Sequence, residues 1–229
     1  MSILDPLVKN IEVSFNNEAL LEQALTHRSY LNENKNATLE HNERMEFLGD
    51  AVLELVITDF LFKKYPDEPE GVLTAYRSSL VNTVSISETA RALGVNNFLK
   101  LSKGEAQDTG RARETILANA FEAIVGAIYL DQGYASAETF IIKNLTPKLE
   151  KVVEKRLWQD AKSRFQELAQ EKEGVTPHYD VLGEEGPDHD RVFTVGVFLG
   201  ENEIAKGEGK SKQEAEQAAA EAGIDKKGW

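Results

Sequence analysis

The chain has 229 residues, a net charge of −13 and no cysteine. With 41% hydrophobic and 28% charged residues, it has the composition of a globular protein of one or two domains rather than a disordered one. Disulfides, thiolate zinc sites and a cysteine nucleophile are excluded, and no apolar run approaches the roughly 20 residues of a membrane-spanning helix. The acidic surplus argues, at first sight, against nucleic-acid partners, which usually require a basic surface.

The first two thirds of the chain are predicted to be helical. Apolar residues recur at intervals of three and four from residue 19 to about residue 156. Polar or Pro- and Gly-containing breaks fall at 32–38, 66–71 and 104–110. The first ten residues include Asp5 and Pro6, which is not a signal-peptide pattern, so we expect a cytoplasmic protein.

The pattern changes after Trp158. A short helix is predicted over 163–170, strands over 179–182 and 192–198, and an Ala-rich helix over 212–222. Turns are predicted at 183–187 and 200–202, which gives the order α-β-β-β-α. We therefore expect a multidomain α and α+β protein, with an all-helical domain over residues 1–156 and a small α-β-β-β-α domain over 160–229.

An acidic stripe runs along the segment 41–53. At about 100° per residue, Glu43, Glu46 and Asp50 share one arc of a helix. The opposite arc is apolar and carries Met45, Leu48, Val52 and Leu55. A solvated face on a core helix would explain this stripe, but acids at these spacings repel one another unless a cation compensates them. Phe47 borders the acids, which indicates that this face meets another surface.

A second predicted helix, over 116–130, is almost wholly apolar. Its strongly polar side chains are Asn119 and Glu122, three residues apart. A buried carboxylate without a partner is costly, so Glu122 requires either an arginine or a metal ion held between the two helices. The candidate arginines are Arg44, Arg77 and Arg113.

The oxygen donors of the candidate ligands restrict which metal ion can bind. Carboxylate and amide oxygens suit Mg²⁺ or Mn²⁺ and not zinc. The four candidate ligands are Glu46, Asp50, Asn119 and Glu122. Paired Mg²⁺ ions commonly promote in-line attack on a phosphodiester, but the spacing alone predicts only a site for a hard metal ion.

The segment around these acids closely resembles the signature of bacterial ribonuclease III. Glu-Phe-Leu-Gly-Asp at 46–50 is the centre of the match, which continues at 24–30, 70–74 and 121–131. The resemblance implies an Mg²⁺-dependent endonuclease, with Mn²⁺ as a substitute and no small-molecule organic cofactor. It would cut double-stranded RNA as a homodimer, for example in the maturation of rRNA precursors. The products would have 5′-phosphate and 3′-hydroxyl ends with short 3′ overhangs.

The resemblance also assigns roles to individual residues. Glu46, Asp50 and Glu122 match the catalytic, metal-binding carboxylates of the family. Glu43 and Glu70 match further acids of its catalytic valley. Glu70 would be contributed near the dimer interface, where Phe47 would also lie.

Asn119 departs from the family pattern, because many bacterial members carry Asp at this position. An amide oxygen can still bind Mg²⁺ or a bound water, but it brings no charge. Asn119 is thus a tolerated variant, a cause of slower catalysis or a disabling change. We favour the tolerated variant, because Asn is isosteric with Asp and the three carboxylates are retained. The main alternative is a non-cleaving double-stranded-RNA-binding protein of the same fold. An unrelated phosphohydrolase of small substrates is a weaker alternative.

The C-terminal segment resembles a double-stranded-RNA-binding domain over about 160–225. Ser211 is predicted to cap the last helix, whose free N–H groups and neighbouring lysines would form a phosphate site. The domain would contact two minor grooves of the duplex and the phosphates between them. The residues implied to contact RNA are Gln166, Glu167, His189, Lys206, Lys210, Ser211 and Lys212.

This C-terminal module is itself acidic. Residues 160–229 contain nine Lys and Arg against sixteen Asp and Glu, a net charge of −7. Gln213 replaces a lysine that is usual in such domains, and Asp188 and Asp190 flank the binding loop. Because each phosphate contact adds about 0.7–0.9 to the salt dependence, we expect weaker binding and a shallower slope than in basic members.

Overall fold

The computed structural model describes residues 2–154, 160–187 and 191–229. The chain divides into two compact units, Met1–Trp158 and Gln159–Trp229. The division falls beside residues outside the described ranges, so the domain limits 1–156 and 160–229 stay predictions. In the described ranges, no helix is long and apolar enough to cross a membrane.

The described part of the first unit is helical, as predicted. It also contains an isolated parallel bridge between Thr26 and Lys100. Short 3₁₀ turns lie at Val95–Asn97 and Thr146–Lys148. The helices are α1 (Asp5–Ile11), α2 (Glu18–Ala24), α3 (Arg28–Glu33), α4 (Glu43–Lys64), α5 (Glu70–Val81), α6 (Thr83–Ala92), α7 (Lys103–Gln107), α8 (Arg111–Gln132), α9 (Tyr134–Leu145) and α10 (Leu149–Glu154).

Helix α7 lies where a loop was predicted, over 104–110. Its N-terminus is capped by Ser102, whose hydroxyl accepts the N–H of Glu105 at 3.2 Å. Its last turn is held by the buried Arg113, which donates to the carbonyl of Glu105 at 2.7 Å. A local cap and a tertiary hydrogen bond thus stabilise a helix that the glycines of this segment disfavour.

Helices α4 and α8 form the centre of the unit. A Cβ atom at Gly49 would lie 1.8 Å from the backbone oxygen of Glu122, and one at Gly126 would lie 2.3 Å from that of Met45. Such contacts leave no room for any side chain, so the two helices cross with their backbones touching. The crossing brings the acid-bearing parts of both helices together.

The apolar stripe of α4 differs from the predicted one. Leu53 and Ile57 are fully buried, whereas Leu55, which was assigned to the apolar arc, is 57% exposed. The stripe is centred on Gly49 and Val52, because α8 contacts α4 at the glycine.

The second unit has the predicted α-β-β-β-α order. Its elements are α11 (Ala161–Glu173), β1 (Pro177–Glu185), β2 (Val192–Leu199), β3 (Asn202–Gly209) and α12 (Lys212–Lys227). The strands form an antiparallel sheet in the order β1-β2-β3. Phe165, Val197, Ala219 and Ile224 belong to the core between the sheet and the helices. Strand β1 extends into the predicted turn as far as Glu185, with Leu182 as a bulge between the paired residues Val181 and Gly183.

Candidate active site and RNA-binding surface

Three of the predicted metal-binding carboxylates meet where α4 crosses α8. Glu46 and Asp50 are one turn apart on α4, and Gly49 between them contacts the backbone of Glu122. Burial, together with the carboxylates of Asp50 and Glu46, raises the pKa of Glu122 to about 7. The structure therefore places these three side chains within strong electrostatic reach of one another.

Asn119 belongs to the same cluster. Burial raises the pKa of Glu46 above its usual range, with repulsion from Glu43 and Asp50 adding to the effect. A hydrogen bond from the Asn119 amide to Glu46 opposes this shift. Asn119 thus lies beside Glu46, and its role as a metal ligand stays a prediction.

The candidate arginines are engaged elsewhere. Nε of Arg77 lies 3.0 Å from Oε2 of Glu54. The buried Arg113 donates to the carbonyls of Asp108 and Glu105 at 3.1 and 2.7 Å. Within the described ranges, Glu122 forms no ion pair with these arginines or with Arg44. Among the described residues, the charge of Glu122 is therefore not compensated by a cationic side chain.

The donor set fits a hard divalent cation by its chemistry. All four groups offer oxygen, and the negative charges of Asp50 and Glu46 raise the pKa of Glu122. A bound cation would reverse these shifts, because it favours the ionised carboxylates. In the part of the chain that the structure describes, no three acidic or histidine side chains converge closely enough to hold an ion as they stand. Side-chain rotation would be needed to complete a site.

The two further acids of the predicted valley differ in their relation to this cluster: Glu43 acts electrostatically on Glu46, and Glu70 lies apart. Glu43 is paired with Arg28, whose Nη1 lies 3.2 Å from Oε1, and with His41, whose Nδ1 lies 3.7 Å from Oε2. Glu70, at the start of α5, accepts a hydrogen bond from Oγ1 of Thr74 at 3.0 Å. It lines a recess of about 390 Å³ beside α4 and does not contribute to the raised pKa of Glu122.

Glu54 is an acid of this region that the sequence analysis did not single out. It raises the pKa of Glu122 further, although Arg77 neutralises part of its charge. Its position four residues after Asp50 continues the series that begins at Glu46. That helical spacing was the signal that could have identified it.

Helix α4 also exposes large apolar side chains. Phe47 is 82% exposed, Phe62 70% and Leu55 57%. Phe47 therefore packs against nothing substantial within its own chain. Its predicted place at a dimer interface stays a prediction.

The predicted RNA-contacting residues of the second unit are exposed. Gln166 and Glu167 lie on α11, Lys206 lies on β3, and Lys210, Ser211 and Lys212 lie at the start of α12. Ser211 caps α12 as expected, with its hydroxyl accepting the N–H of Glu214 at 3.1 Å. Gln166 and Lys212 line one polar groove of about 620 Å³, so α11 and the start of α12 share a face. His189 lies outside the described residues.

Comparisons with known proteins match both units. A family described as Ribonuclease-III-like matches residues 17–149, and the Double-stranded RNA binding motif matches residues 161–227. Ribonuclease 3 from Bdellovibrio bacteriovorus is 46% identical over 96% of this chain and 94% of its own length. Ribonuclease 3 from Streptococcus pneumoniae is 44% identical over 99% and 97%.

A solved structure agrees with the first unit. The nuclease domain of ribonuclease III from Campylobacter jejuni matches with a TM-score of 0.58 and 36% identity, over 65% of this chain and 97% of that domain. The helical fold, the carboxylates between α4 and α8 and the appended α-β-β-β-α module define an endoribonuclease that binds double-stranded RNA. The chain belongs to the ribonuclease III family.

Proposed function

We propose that this enzyme hydrolyses the phosphodiester bonds of double-stranded RNA at the cluster between α4 and α8, with Mg²⁺ as its cofactor. Mn²⁺ would be a substitute. The observation that carries the proposal is the uncompensated charge of Glu122, which lies beside Glu46 and Asp50 and has no arginine partner in the described ranges. A cluster of this kind is stable at neutral pH when a divalent cation binds it.

The four residues would have different roles. Glu46 and Glu122 would bind the cation directly, Asp50 directly or through water, and Asn119 most weakly, because its amide has no charge. When bound, the cation lowers the pKa of water and neutralises the charge that develops on the phosphate. These side chains would orient the cation against the scissile phosphate, so no side chain has to act as a general base.

The two remaining acids would support the site from outside it. Glu43 adds negative potential at the start of α4, and Arg28 holds it in place. Glu70 would complete the valley in the assembled enzyme. The products would carry 5′-phosphate and 3′-hydroxyl ends with short 3′ overhangs, as in rRNA precursor maturation in the cytoplasm.

The RNA-binding module would hold the duplex through the shared face of α11 and α12. Gln166 and Glu167 would enter a minor groove, and His189 the next one. Lys206, Lys210 and Lys212, with the cap at Ser211, would contact the phosphates between them. The exposure of the described members of this set supports the assignment.

The enzyme would act as a homodimer. A structure of the Campylobacter jejuni nuclease domain is described as showing flexibility in a region involved in dimer formation. In this chain, Phe47 and Phe62 supply exposed apolar area on α4, and Phe62 borders a recess that is also lined by Leu73 and Glu70. Exposed apolar patches of this kind mark protein interfaces.

Incubation of the purified chain with long double-stranded RNA tests the proposal. Discrete short products are expected with Mg²⁺ and none with a chelator, and Glu122→Gln and Asp50→Asn should abolish them. Thr115→Ala, an exposed change on α8, is the matched control and should cleave normally. Cleavage in chelator, or by Glu122→Gln at the wild-type rate, would contradict the proposed site.

Asn119 is the basis of a second candidate function, in which the protein binds double-stranded RNA without cleaving it. Because an amide cannot balance the cation charge, this residue is where activity could have been lost. The same assay with Asn119→Asp separates the two functions. Products from the wild-type chain support the enzyme, whereas binding without products that Asn119→Asp restores would support the alternative.

A further inference from the structure

Lysines of the predicted RNA-binding face are paired with carboxylates of their own module. Nζ of Lys206 lies 3.5 Å from Oε2 of Glu203, and Nζ of Lys212 lies 3.8 Å from Oε1 of Glu184. Nη1 of Arg191 lies 3.2 Å from Oε2 of Glu184, so one carboxylate at the end of β1 serves two cations. In the free protein these cations do not offer their full charge to an anion.

The start of α12 shows the same arrangement. The backbone N–H of Lys210 donates to Oε2 of Glu214 at 2.9 Å. An N–H beside the helix terminus that was predicted to bind phosphate thus already has an acidic acceptor. RNA that approaches this surface meets carboxylates as well as lysines.

RNA phosphates can displace the glutamates from these lysine–glutamate pairs. The side chains of Lys206 and Lys212 are 55% and 59% exposed, and those of Glu203 and Glu184 are 41% and 39% exposed. Exposed ion pairs are weak because water and salt screen them, whereas duplex RNA presents a dense row of phosphates. When an RNA phosphate displaces a carboxylate from its lysine, the freed carboxylate attracts cations from solution. The net number of counterions that RNA binding releases is therefore smaller.

We propose that Glu184 and Glu203 are affinity-determining residues of the RNA-binding module: they neutralise Lys212 and Lys206 in the free chain, and RNA phosphates displace them on binding. The proposal rests on the proposed function, in which these lysines face the RNA. These acids lower the affinity for the duplex and make it less dependent on salt. Since lower affinity mostly reflects faster dissociation, they also shorten the time for which RNA stays bound.

Neutral variants of the full chain test this proposal. Binding of a fluorescent RNA duplex of about 25 base pairs, longer than the roughly 16 that such a module spans, is measured in chelator over a series of KCl concentrations. Glu184→Gln and Glu203→Gln should each lower Kd about three- to tenfold near 0.1 M salt and steepen the slope of log Kd against log salt by up to about 0.7–0.9.

Glu173→Gln is the matched control. Glu173 pairs with Lys227, and the two residues lie at the C-terminal ends of α11 and α12. Lys227 is about 22 Å along α12 from Lys212, which is more than the Debye length. The Glu173→Gln variant removes the same charge as the two test variants and should change the Kd for the duplex less than twofold. An unchanged Kd in both test variants, weaker binding by either, or equal tightening by Glu173→Gln would overturn the proposal.

Lysine variants separate this proposal from the assignment of the RNA-binding face. Lys206→Ala and Lys212→Ala should weaken binding, and the gain from Glu203→Gln should vanish in the Lys206→Ala background. If both lysine variants bind as tightly as the wild type, the assigned face is wrong. If they weaken binding while Glu184→Gln and Glu203→Gln change nothing, the face stands and the role of the glutamates is refuted.

Discussion

Glu122 is the residue at which burial and charge act most strongly on each other. Its raised pKa has a consequence for stability in the absence of metal. A carboxyl group whose pKa is higher in the folded chain than in the unfolded chain binds an extra proton on folding at every pH between the two values. The free energy of unfolding therefore falls as the pH rises between them.

We predict a pH-dependent loss of stability in the metal-free protein. Between pH 4.5 and about 7, the ordinary and raised pKa values of Glu122, the loss should be on the order of 1–2 kcal/mol after solvent screening. Thermal unfolding at a series of pH values in chelator measures it. Glu122→Gln should flatten the profile and Mg²⁺ should restore stability at pH 8, whereas parallel profiles for variant and wild type would contradict the raised pKa.

Asn119→Asp should change the metal dependence of the enzyme. A fourth carboxylate adds charge to the cluster and removes the amide hydrogen bond to Glu46. We expect a several-fold lower Mg²⁺ concentration at half-maximal activity and a metal-free protein less stable by about 1 kcal/mol. Activity titrated against Mg²⁺ and melting in chelator measure the two effects. An unchanged Mg²⁺ requirement would show that position 119 does not face the cation.

The positions of the individual acids could be predicted, but their partners could not. Spacing placed Glu46 and Asp50 on one face of a helix, because helical geometry fixes which side chains share a face, and the resemblance to ribonuclease III joined Glu122 to them. Arg77 pairs with Glu54 on α4, which lies well before it in sequence, and Arg113 donates to carbonyls of the preceding segment, which was predicted to be a loop. Whether one of these arginines is the partner of Glu122 could therefore be decided only from the fold.

At the scale of elements, the prediction of helices was limited by contacts between them. The predicted apolar arc of α4 included Leu55, which is exposed, because the stripe depends on where α8 approaches. Helix α7 was missed because its stability comes from Arg113 and the cap at Ser102 rather than from its own residues. The α-β-β-β-α order was recognised because each of its elements has a clear periodicity or turn signal.

Gly49→Ala should destabilise the first unit severely. The new Cβ would lie 1.8 Å from a backbone oxygen of α8, so the helices must separate, at a cost of about 3 kcal/mol or more. Urea unfolding measures the loss. Gly71→Ala in α5 is the control, because nothing lies within 4 Å of its Cβ position and the change should be within about 1 kcal/mol of neutral. Equal stability of the two variants would contradict the close crossing.

At the scale of the whole molecule, net charge was a poor guide to partners. The first expectation from −13, that nucleic acid is disfavoured, is wrong, because the chain carries a double-stranded-RNA-binding motif. In the first unit, part of the acidic charge is concentrated around Glu122, where a cation would offset it. In the second unit, part of the acidic charge is paired with Lys206 and Lys212 of the proposed RNA-binding face.

Phe47→Asp should dissociate the proposed dimer. The side chain is 82% exposed in the single chain, so a charge there leaves the fold intact but disfavours burial against a second copy. Sedimentation equilibrium should show a monomer, and cleavage should be strongly reduced. Val84→Asp, at a 56% exposed position on α6, should remain a dimer. A dimeric Phe47→Asp variant would place the interface elsewhere.

The backbone contact between α4 and α8 makes the spacing of the proposed metal-binding acids robust to mutation. Because Gly49 and Gly126 have no side chains, main-chain atoms rather than rotamers set the separation of the two helices. Replacements in the fully buried core, such as Ile124→Val, change packing energy but leave this contact in place. Core residues of this enzyme can therefore drift during evolution while the spacing of its acids stays constant.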